Sequence, residues 1–413
     1  MRLLVVTQYF WPEDFRINEL VGDLVARGHA VTVLTGKPNY PGGTVFGEFR
    51  EDPQRFASYA GARVVRVPML ARGHGKLRLV LNYLSFALSA TVAGVLRLSG
   101  GRFDAIFVFE SSPVTVGIPA VVLRALRGWP VAFWVLDQWP ESLAAVGVVQ
   151  SEWLLTTVGW LVRFIYTRCD VILSPSKRLV PRIASYCRAG QRIEYFPNWA
   201  ESVYESGSPV AAPEVPARAG AFSVMFAGNI GEAQDFPTIL DAAERLKEHA
   251  HIRWLVVGDG RMAPWVRAEI ARRGLEECVV MLGRFPVERM PSFLCHTDAL
   301  LVSLRPDALF AMTSPGKIQS YLAVGRPILA MLDGEGAAVV NEAHAGLTSP
   351  AGDATRLAEN VLRLAALSAQ ERATLGRNGV AYAQREFSRR TLVDRLETWL
   401  GDIVRPSRAD EAV

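Results

Sequence analysis

The chain has 413 residues, 50% of them hydrophobic and 21% charged, with a formal net charge of +4. That length is more than one ordinary core supports, so two domains are expected, and the charged fraction excludes a disordered chain. The four cysteines, Cys169, Cys187, Cys278 and Cys295, show neither a CxxC pair nor metal-ligand spacing. They read as reduced thiols of a cytoplasmic protein without a metal site, and no nucleic-acid partner is expected.

Charge is distributed unevenly. Residues 1–200 carry 22 Lys/Arg against 14 Asp/Glu, whereas the remainder carries 23 against 27. Residues 53–103 hold eight basic residues and no acidic one. An anionic membrane surface attracts such a stretch.

In chain order, "MRLLVVTQYFWPEDF" opens with an apolar run too short for a signal peptide. The runs "RLLVVTQ", "AVTVLTG", "ARVVRVP", "DAIFVFE", "PVAFWVL" and "DVILSPS" read as strands separated by amphipathic helices. After residue 220 "FSVMFAG", "IRWLVVGDG", "CVVMLGR", "ALLVSLR" and "RPILAML" repeat the alternation. The pattern predicts an α/β fold of two doubly wound, Rossmann-like parallel-sheet domains facing a cleft. Their spans are 1–200 and 201–385, with a final helix over 386–413. Residues 206–220, "SGSPVAAPEVPARAG", have the composition of a linker or exposed loop.

The stretch 79–96 has 18 residues without a charge, which raises the question of a membrane span. Asn82, Ser85 and Ser89 recur on one face, leaving a helix packed on the sheet or lying in a membrane interface as the alternatives. Trp153, Trp160, Phe164 and Tyr166 in the next helix are expected to be mostly core residues, with aromatics of a membrane interface as the alternative.

Ligands of open α/β sheets bind beyond the carboxyl ends of the strands. After the first strand no Gly-x-Gly-x-x-Gly fingerprint occurs, and Arg16 begins the next helix, open either to a phosphate or to a surface ion pair with Glu13 or Glu19. "DQWPESL" sets Asp137, Trp139 and Glu141 at another strand end, a grouping suited to sugar hydroxyls or to orienting an attacking oxygen, or else to helix capping. Gly228 and Asn229, Asp259 in "VVGDGRM" and Arg284 in "LGRFP" end three further strands. In "TSPGKIQSYLAVG" Ser314 is expected as the helix cap and Pro315 as its first residue, with Gly316 and Lys317 in the first turn. Exposed N–H groups, the helix dipole and an ammonium together favour a phosphate there, and the convergence of these loops points to a nucleotide diphosphate.

"QYFWPE", "LVARGHAVTVLTGKPNYPGG", "LDQWPESLAAVG", "FPNWAES", "FAGNIGEAQDFPTIL", "VVGDGRM" and "SPGKIQSYLAVGRPIL" together resemble the GT-B retaining glycosyltransferases of family four. Within them the likeness is to the bacterial polysaccharide branch of WbuB-type fucosamine transferases and colanic acid transferases. The resemblance implies that the N-terminal domain takes an acceptor, the C-terminal domain takes a UDP-sugar, and the last helix crosses back to the first domain. It also implies catalysis without a metal or other cofactor, retention at the anomeric carbon, and a lipid-linked, undecaprenyl-diphosphate-type acceptor at the inner-membrane surface, approached through 53–103. On this reading Gly228, Asn229, Asp259, Arg284, Ser314, Gly316, Lys317 and Ser320 bind the donor, and Arg16, Asn39, Tyr40 and Trp139 bind the acceptor. Asp137, Glu141 and Lys317 serve catalysis.

The sequence departs from the family where many relatives carry two glutamates eight residues apart; here Met312 and Ser320 stand instead. A donor lacking the hydroxyl that the first glutamate binds, such as a 6-deoxy N-acetylamino sugar, suits Met312. Asn229 and Gln234 occupy about the places of an Arg and a Lys in relatives. A sugar-nucleotide epimerase and a non-catalytic assembly scaffold are the alternative readings.

Overall fold

The structure is a computed structural model that describes residues 1–73, 75–98, 100–145, 151–204, 212–216 and 219–404. Most of the linker expected at 206–220 lies outside the described residues, as does the side chain of Lys76. The chain divides into two compact units, Met1–Pro197 with the chain from Leu392 onward, and Asn198–Thr391.

The first unit is built on β1 (Arg2–Val6), β2 (Ala30–Thr35), β3 (Ser58–Tyr59), β4 (Ala62–Arg66), β5 (Ala105–Glu110), β6 (Val131–Val135), β7 (Val171–Ser174) and β8 (Arg192–Tyr195). Their order in the sheet is β3-β4-β2-β1-β5-β6-β7-β8, parallel except for the β3–β4 pair. Every residue of β5 and β6 is buried, which is why they read as unbroken apolar runs rather than alternating ones. The strand order reverses direction between β1 and β5, and the loops leaving their carboxyl ends are parted there.

The second unit holds β9 (Phe222–Ala227), β10 (Ile252–Val257), β11 (Val279–Gly283), β12 (Ala299–Ser303), β13 (Ile328–Met331) and β14 (Gly346–Ser349). Its order is β11-β10-β9-β12-β13-β14, all parallel, with the reversal between β9 and β12. The strands that sequence pattern does not reveal, β3, β8 and β14, are all edge strands, short and only partly covered, so no apolar run marks them.

Two helices of the first unit overturn simple expectation. In the Lys76–Arg97 helix the polar stripe faces inward: Asn82 is fully buried, its Nδ2 donating to the Leu70 carbonyl at 2.6 Å and its Oδ1 accepting from Gln8 at 2.7 Å. The leucines face out, Leu77 at 74% and Leu88 at 69% exposure. This is the one helix among the described residues long and apolar enough to cross a membrane, yet its Phe86 and Ala90 are committed to the core. In the Glu152–Tyr166 helix only Tyr166 of the four aromatics is buried; Trp153 and Trp160 are 72% and 71% exposed and Phe164 is also exposed, against the expectation of core packing. Both helices pack beside the Gly117–Arg127 helix, on one face of the sheet.

The last helix, Arg389–Val404, belongs to the first unit. It buries Leu392, Leu396 and Leu400, sets Trp399 edge-on to Phe196 with ring centroids 6.0 Å apart, and receives Arg27 at Glu397 (2.6 Å) and Asp394 (2.5 Å). Leu396→Ala should destabilise the first unit by about 2–5 kcal/mol through the cavity it leaves. Hydrogen exchange should then show lost protection in peptides of 1–197 and unchanged protection in 198–391.

Candidate functional site

In the second unit, the loops after β9, β10 and β11 enclose a cavity of about 1000 Å³ lined by Gly228, Asn229, Gly258, Asp259, Gly260 and Arg284, with Phe285, Val287 and Met290 as its apolar wall. The glycines permit a close approach that side chains would block. Gly258 has φ +133°, and a Cβ there would lie 1.9 Å from the Gly228 carbonyl oxygen. Gly228, at φ +136°, lies directly over Lys317, so that a Cβ on it would stand 2.9 Å from Nζ.

Lys317 is the electrostatic centre of this group. Its Nζ lies 3.6 Å from the centroid of the Phe226 ring, and no carboxylate among the described residues pairs with it. Loss of water lowers the ammonium pKa to about 7. It sits in the first turn of the Gly316–Val324 helix, whose start carries no side-chain cap. Here the sequence expectation is corrected: Pro315, at ψ 135°, occupies the cap position, and Ser314 does not cap. The Ser314 hydroxyl is instead buried without a hydrogen-bond partner. Exposed Gly316 admits a ligand to the open N–H groups, and Arg284 adds to the cavity wall an exposed cation without a carboxylate partner among the described residues. Asp259 is exposed beside it, one oxygen accepting the Gly260 N–H at 2.8 Å. The assembly suits a multiply charged anion.

Ser320 does not face a ligand by itself: it is buried, and its hydroxyl donates to Glu201 at 2.6 Å. A carboxylate 119 residues upstream in sequence thus arrives where the sequence has serine. Gln234 is occupied in closing the turn, accepting the Gly231 N–H at 3.1 Å.

In the first unit, Tyr9 and Ser112 from the loops at the β1/β5 reversal meet Tyr40 after β2, Arg72 after β4, Tyr83 of the Lys76–Arg97 helix and Asp137 after β6. Tyr9 stacks on Phe15 and meets Tyr40, with centroids 5.6 and 5.3 Å apart. Tyr83 hydrogen-bonds to Ser112 and lies close enough to Asp137 for that carboxylate to disfavour its ionisation. Of the residues predicted from sequence, Asp137 and half-exposed Tyr40 belong to this group; the others are placed elsewhere. Asn39 is fully buried, bracing loops by donating to the Lys37 carbonyl and accepting the Arg72 N–H. Trp139 is a core side chain whose indole N–H holds Asp137 at 2.9 Å, because a ring of that size is retained by apolar packing. Glu141 is taken up by an ion pair with Arg182 and by the Tyr186 hydroxyl at 3.0 Å. Arg16 pairs with Glu19 at 3.6 Å.

Sequence reasoning passed over two buried carboxylates that frame this group. Glu13 accepts the backbone N–H groups of Asn39 (2.8 Å), Tyr40 (2.7 Å) and Phe10 (3.1 Å), tying the first two loops together, and burial raises its pKa. Glu110 ends β5 fully buried. One oxygen accepts the N–H groups of Leu136 (3.1 Å) and Asp137 (3.2 Å), and the other has no partner. Burial, and then the nearby Asp137 charge, push its pKa well above the ordinary value. An acid ending an apolar strand was the available signal.

With this geometry in view, comparison with known proteins is decisive for the class. Residues 15–199 match the family described as glycosyl transferase 4-like domain, and residues 221–366 match glycosyl transferases group 1. The two matches together span most of the chain, which belongs to the group 1 glycosyltransferases of GT-B fold. The chain is 25% identical over 345 residues to a protein of Escherichia coli (strain K12) assigned as the colanic acid biosynthesis glycosyl transferase WcaI, covering 79% of this chain and 82% of that one. Among solved structures it resembles Anabaena HepE in complex with UDP and glucose (14% identity, TM-score 0.65, 97% and 99% coverage). It also resembles sucrose-phosphate synthase from Thermosynechococcus elongatus (15%, TM-score 0.72, 97% and 98%) and WaaG, a glycosyltransferase involved in lipopolysaccharide biosynthesis (12%, TM-score 0.65, 98% and 100%).

The Glu110 pKa makes a prediction of definite sign. A carboxyl whose pKa is raised in the folded state binds more protons there than when unfolded, so its contribution to stability falls as pH rises from about 4.5 towards the raised value. Glu110→Gln should therefore gain stability over the wild type as pH increases across this window, with the gap closing in acid. Chemical denaturation between pH 4 and 9 measures it, and a constant gap would contradict the assignment.

Proposed function

We propose that the enzyme moves a sugar from a UDP-sugar, bound by the second unit, to a lipid-diphosphate-linked saccharide held by the first, in the assembly of a bacterial surface polysaccharide. The observation that carries this reading is the unpaired, dehydrated Lys317 ammonium beneath Gly228, at an uncapped helix start. Support for the donor comes from HepE, whose structure holds UDP and glucose, and for the pathway class from WcaI and WaaG.

The donor diphosphate rests on the N–H groups of Gly316 and Lys317 and on the Lys317 ammonium, with Arg284 at its edge. As the bond from the anomeric carbon to the phosphate oxygen breaks, negative charge grows on that oxygen. Lys317 and the helix dipole are already arranged to receive it, so little reorganisation is required. No metal is called for. The acceptor hydroxyl attacks from the face the phosphate leaves, forming the new glycosidic bond with retention, and its proton passes to the departing phosphate oxygen. Asp137, held by Trp139, orients that hydroxyl.

The carboxylate held by Ser320 takes donor hydroxyls in place of the missing glutamate. Met312 offers no hydrogen-bonding carboxylate, which favours a 6-deoxy N-acetylamino sugar such as L-FucNAc. The outward leucines of Lys76–Arg97, the exposed Trp153 and Trp160 and the basic residues of 53–103 suit peripheral attachment to the cytoplasmic face of an anionic membrane, the apolar side chains entering the interface and the arginines meeting headgroups.

UDP at about 100 times its dissociation constant should stabilise the protein by about 2.7 kcal/mol. Lys317→Ala should abolish that gain, and a stabilisation that survives it would remove the central claim. Because the free ammonium has a pKa of about 7 and a diphosphate raises it, UDP binding at pH 8 should take up protons. Calorimetry in buffers of different ionisation enthalpy reads this directly. Asp137→Asn should lower transfer by about a hundredfold while leaving UDP binding intact.

A further inference from the structure

Arg72 is a second basic side chain without a carboxylate partner among the described residues. Its backbone N–H donates to Asn39 Oδ1 at 3.0 Å, which fixes the chain; its guanidinium is half-buried, over the Tyr40 ring at 5.4 Å, with one donor on the Tyr9 hydroxyl at 3.3 Å. Nearby Arg66 differs in that both of its terminal guanidinium nitrogens donate to backbone carbonyls, of Gly36 and Trp11, while its buried Nε finds no partner among the described residues. A planar fork with five donors, one of them used, removed from much of its water, is matched by a phosphate.

The same segment forms one wall of an apolar groove. Leu70 is anchored to the Lys76–Arg97 helix by the Asn82 amide (2.6 Å) and the Ser85 hydroxyl (3.0 Å). Beyond that anchor Met69, Leu70, Leu88, Val92 and Leu96 line a groove of about 540 Å³. It follows the helix from Ser85 to Arg97, about 18 Å at the helical rise per residue. Arg72 follows Leu70 of this wall by two residues, and its guanidinium contacts the Tyr9 hydroxyl that Asn82 of the helix also meets.

We propose that Arg72 and this groove form one binding site for a prenyl diphosphate, the phosphate next to the chain on the guanidinium and the first part of the aliphatic chain in the groove. The site rests on the reading of a lipid-diphosphate acceptor and specifies where that lipid lies. A bare phosphate leaves the groove empty, and a bare hydrocarbon leaves Arg72 unpaired; only an amphiphile with both parts uses both. The Tyr83 hydroxyl flanks the phosphate as a further donor.

The test titrates the full chain, without detergent, with farnesyl diphosphate, inorganic pyrophosphate and farnesol, following tryptophan fluorescence. Farnesyl diphosphate should bind at least about tenfold more tightly than pyrophosphate. Arg72→Gln should weaken farnesyl diphosphate by at least about tenfold and leave farnesol unchanged, with Arg72→Lys intermediate. Ser89→Phe, which fills the groove, should reduce farnesyl diphosphate to the level of pyrophosphate. Retained UDP stabilisation and an unchanged far-ultraviolet spectrum establish that each variant is folded. Equal affinities for farnesyl diphosphate and pyrophosphate, indifference to both the Arg72 and Ser89 changes, or displacement of farnesyl diphosphate by phosphatidylglycerol vesicles with equal effect in wild type and Arg72→Gln would each overturn the site.

Transfer from a UDP-sugar to a prenyl-diphosphate-linked sugar is measured alongside. Transfer that proceeds in both variants as in the wild type places the lipid elsewhere and spares the functional reading. UDP binding without transfer to any such acceptor defeats that reading itself.

Discussion

Two cations, Lys317 and Arg72, stand partly out of water beyond the carboxyl ends of the strands of two sheets, without a carboxylate among the described residues to answer them. A desolvated charge that the fold does not neutralise is a cost to the free protein, and it persists only where the surroundings over-determine the position. For Lys317 these are the Phe226 ring below, the Gly228 backbone above and the start of its own helix. For Arg72 they are the Tyr9 hydroxyl, the Tyr40 ring and the Asn39 anchor. On the proposed reading an arriving phosphate would remove each cost, and that difference between the empty and the occupied site would make the sites selective for anions.

The topology explains why both cations lie where they do. At a reversal of strand order the loops on either side diverge, so the strand ends between them remain uncovered. In the first unit this happens between β1 and β5, and the uncovered ends deliver Tyr9 and Ser112; in the second it happens between β9 and β12, delivering Gly228 and, after β12, the helix bearing Lys317. Buried acids behind the first site act on backbone rather than on ligand. Glu13 clamps the loops after β1 and β2, and Glu110 holds the chain after β6. Such carboxylates set the position of Asp137 and Tyr40 without contacting what those residues touch.

The surface of the first unit follows the same logic on a larger scale. Its long helix spends its few polar groups on internal hydrogen bonds to the loops that carry the site, leaving its apolar side outward. Asn82 therefore links the outer apolar stripe to Gln8, Tyr9 and Leu70 through direct contacts. The outer stripe and the site behind it thus share one structural element.

How much of this was legible beforehand depends on range. Apolar runs and their spacing revealed eleven strands and the two-sheet class, because burial on both faces of a parallel sheet is written locally in Val, Ile and Leu; the edge strands β3, β8 and β14 carry no such record. Lys317 was recognisable because its helix start, its glycine and its charge are contiguous in sequence. Position at a strand end pointed to Asp137 and equally to Trp139, and Asn39 was a further candidate; Asn39 and Trp139 are buried side chains that hold neighbouring groups, since a strand-end position alone does not say which way a side chain turns. Arg72, Glu110 and the carboxylate brought by Glu201 to Ser320 were invisible for the converse reason. What gives each its character is a neighbour distant in the chain: Tyr9 for Arg72, the backbone after β6 for Glu110, and residue 320 for Glu201. Sequence by itself determined the sheets, the class and the cationic helix start, all products of local pattern; burial and pairing between distant segments, which only the tertiary structure decides, selected the residues left free to bind.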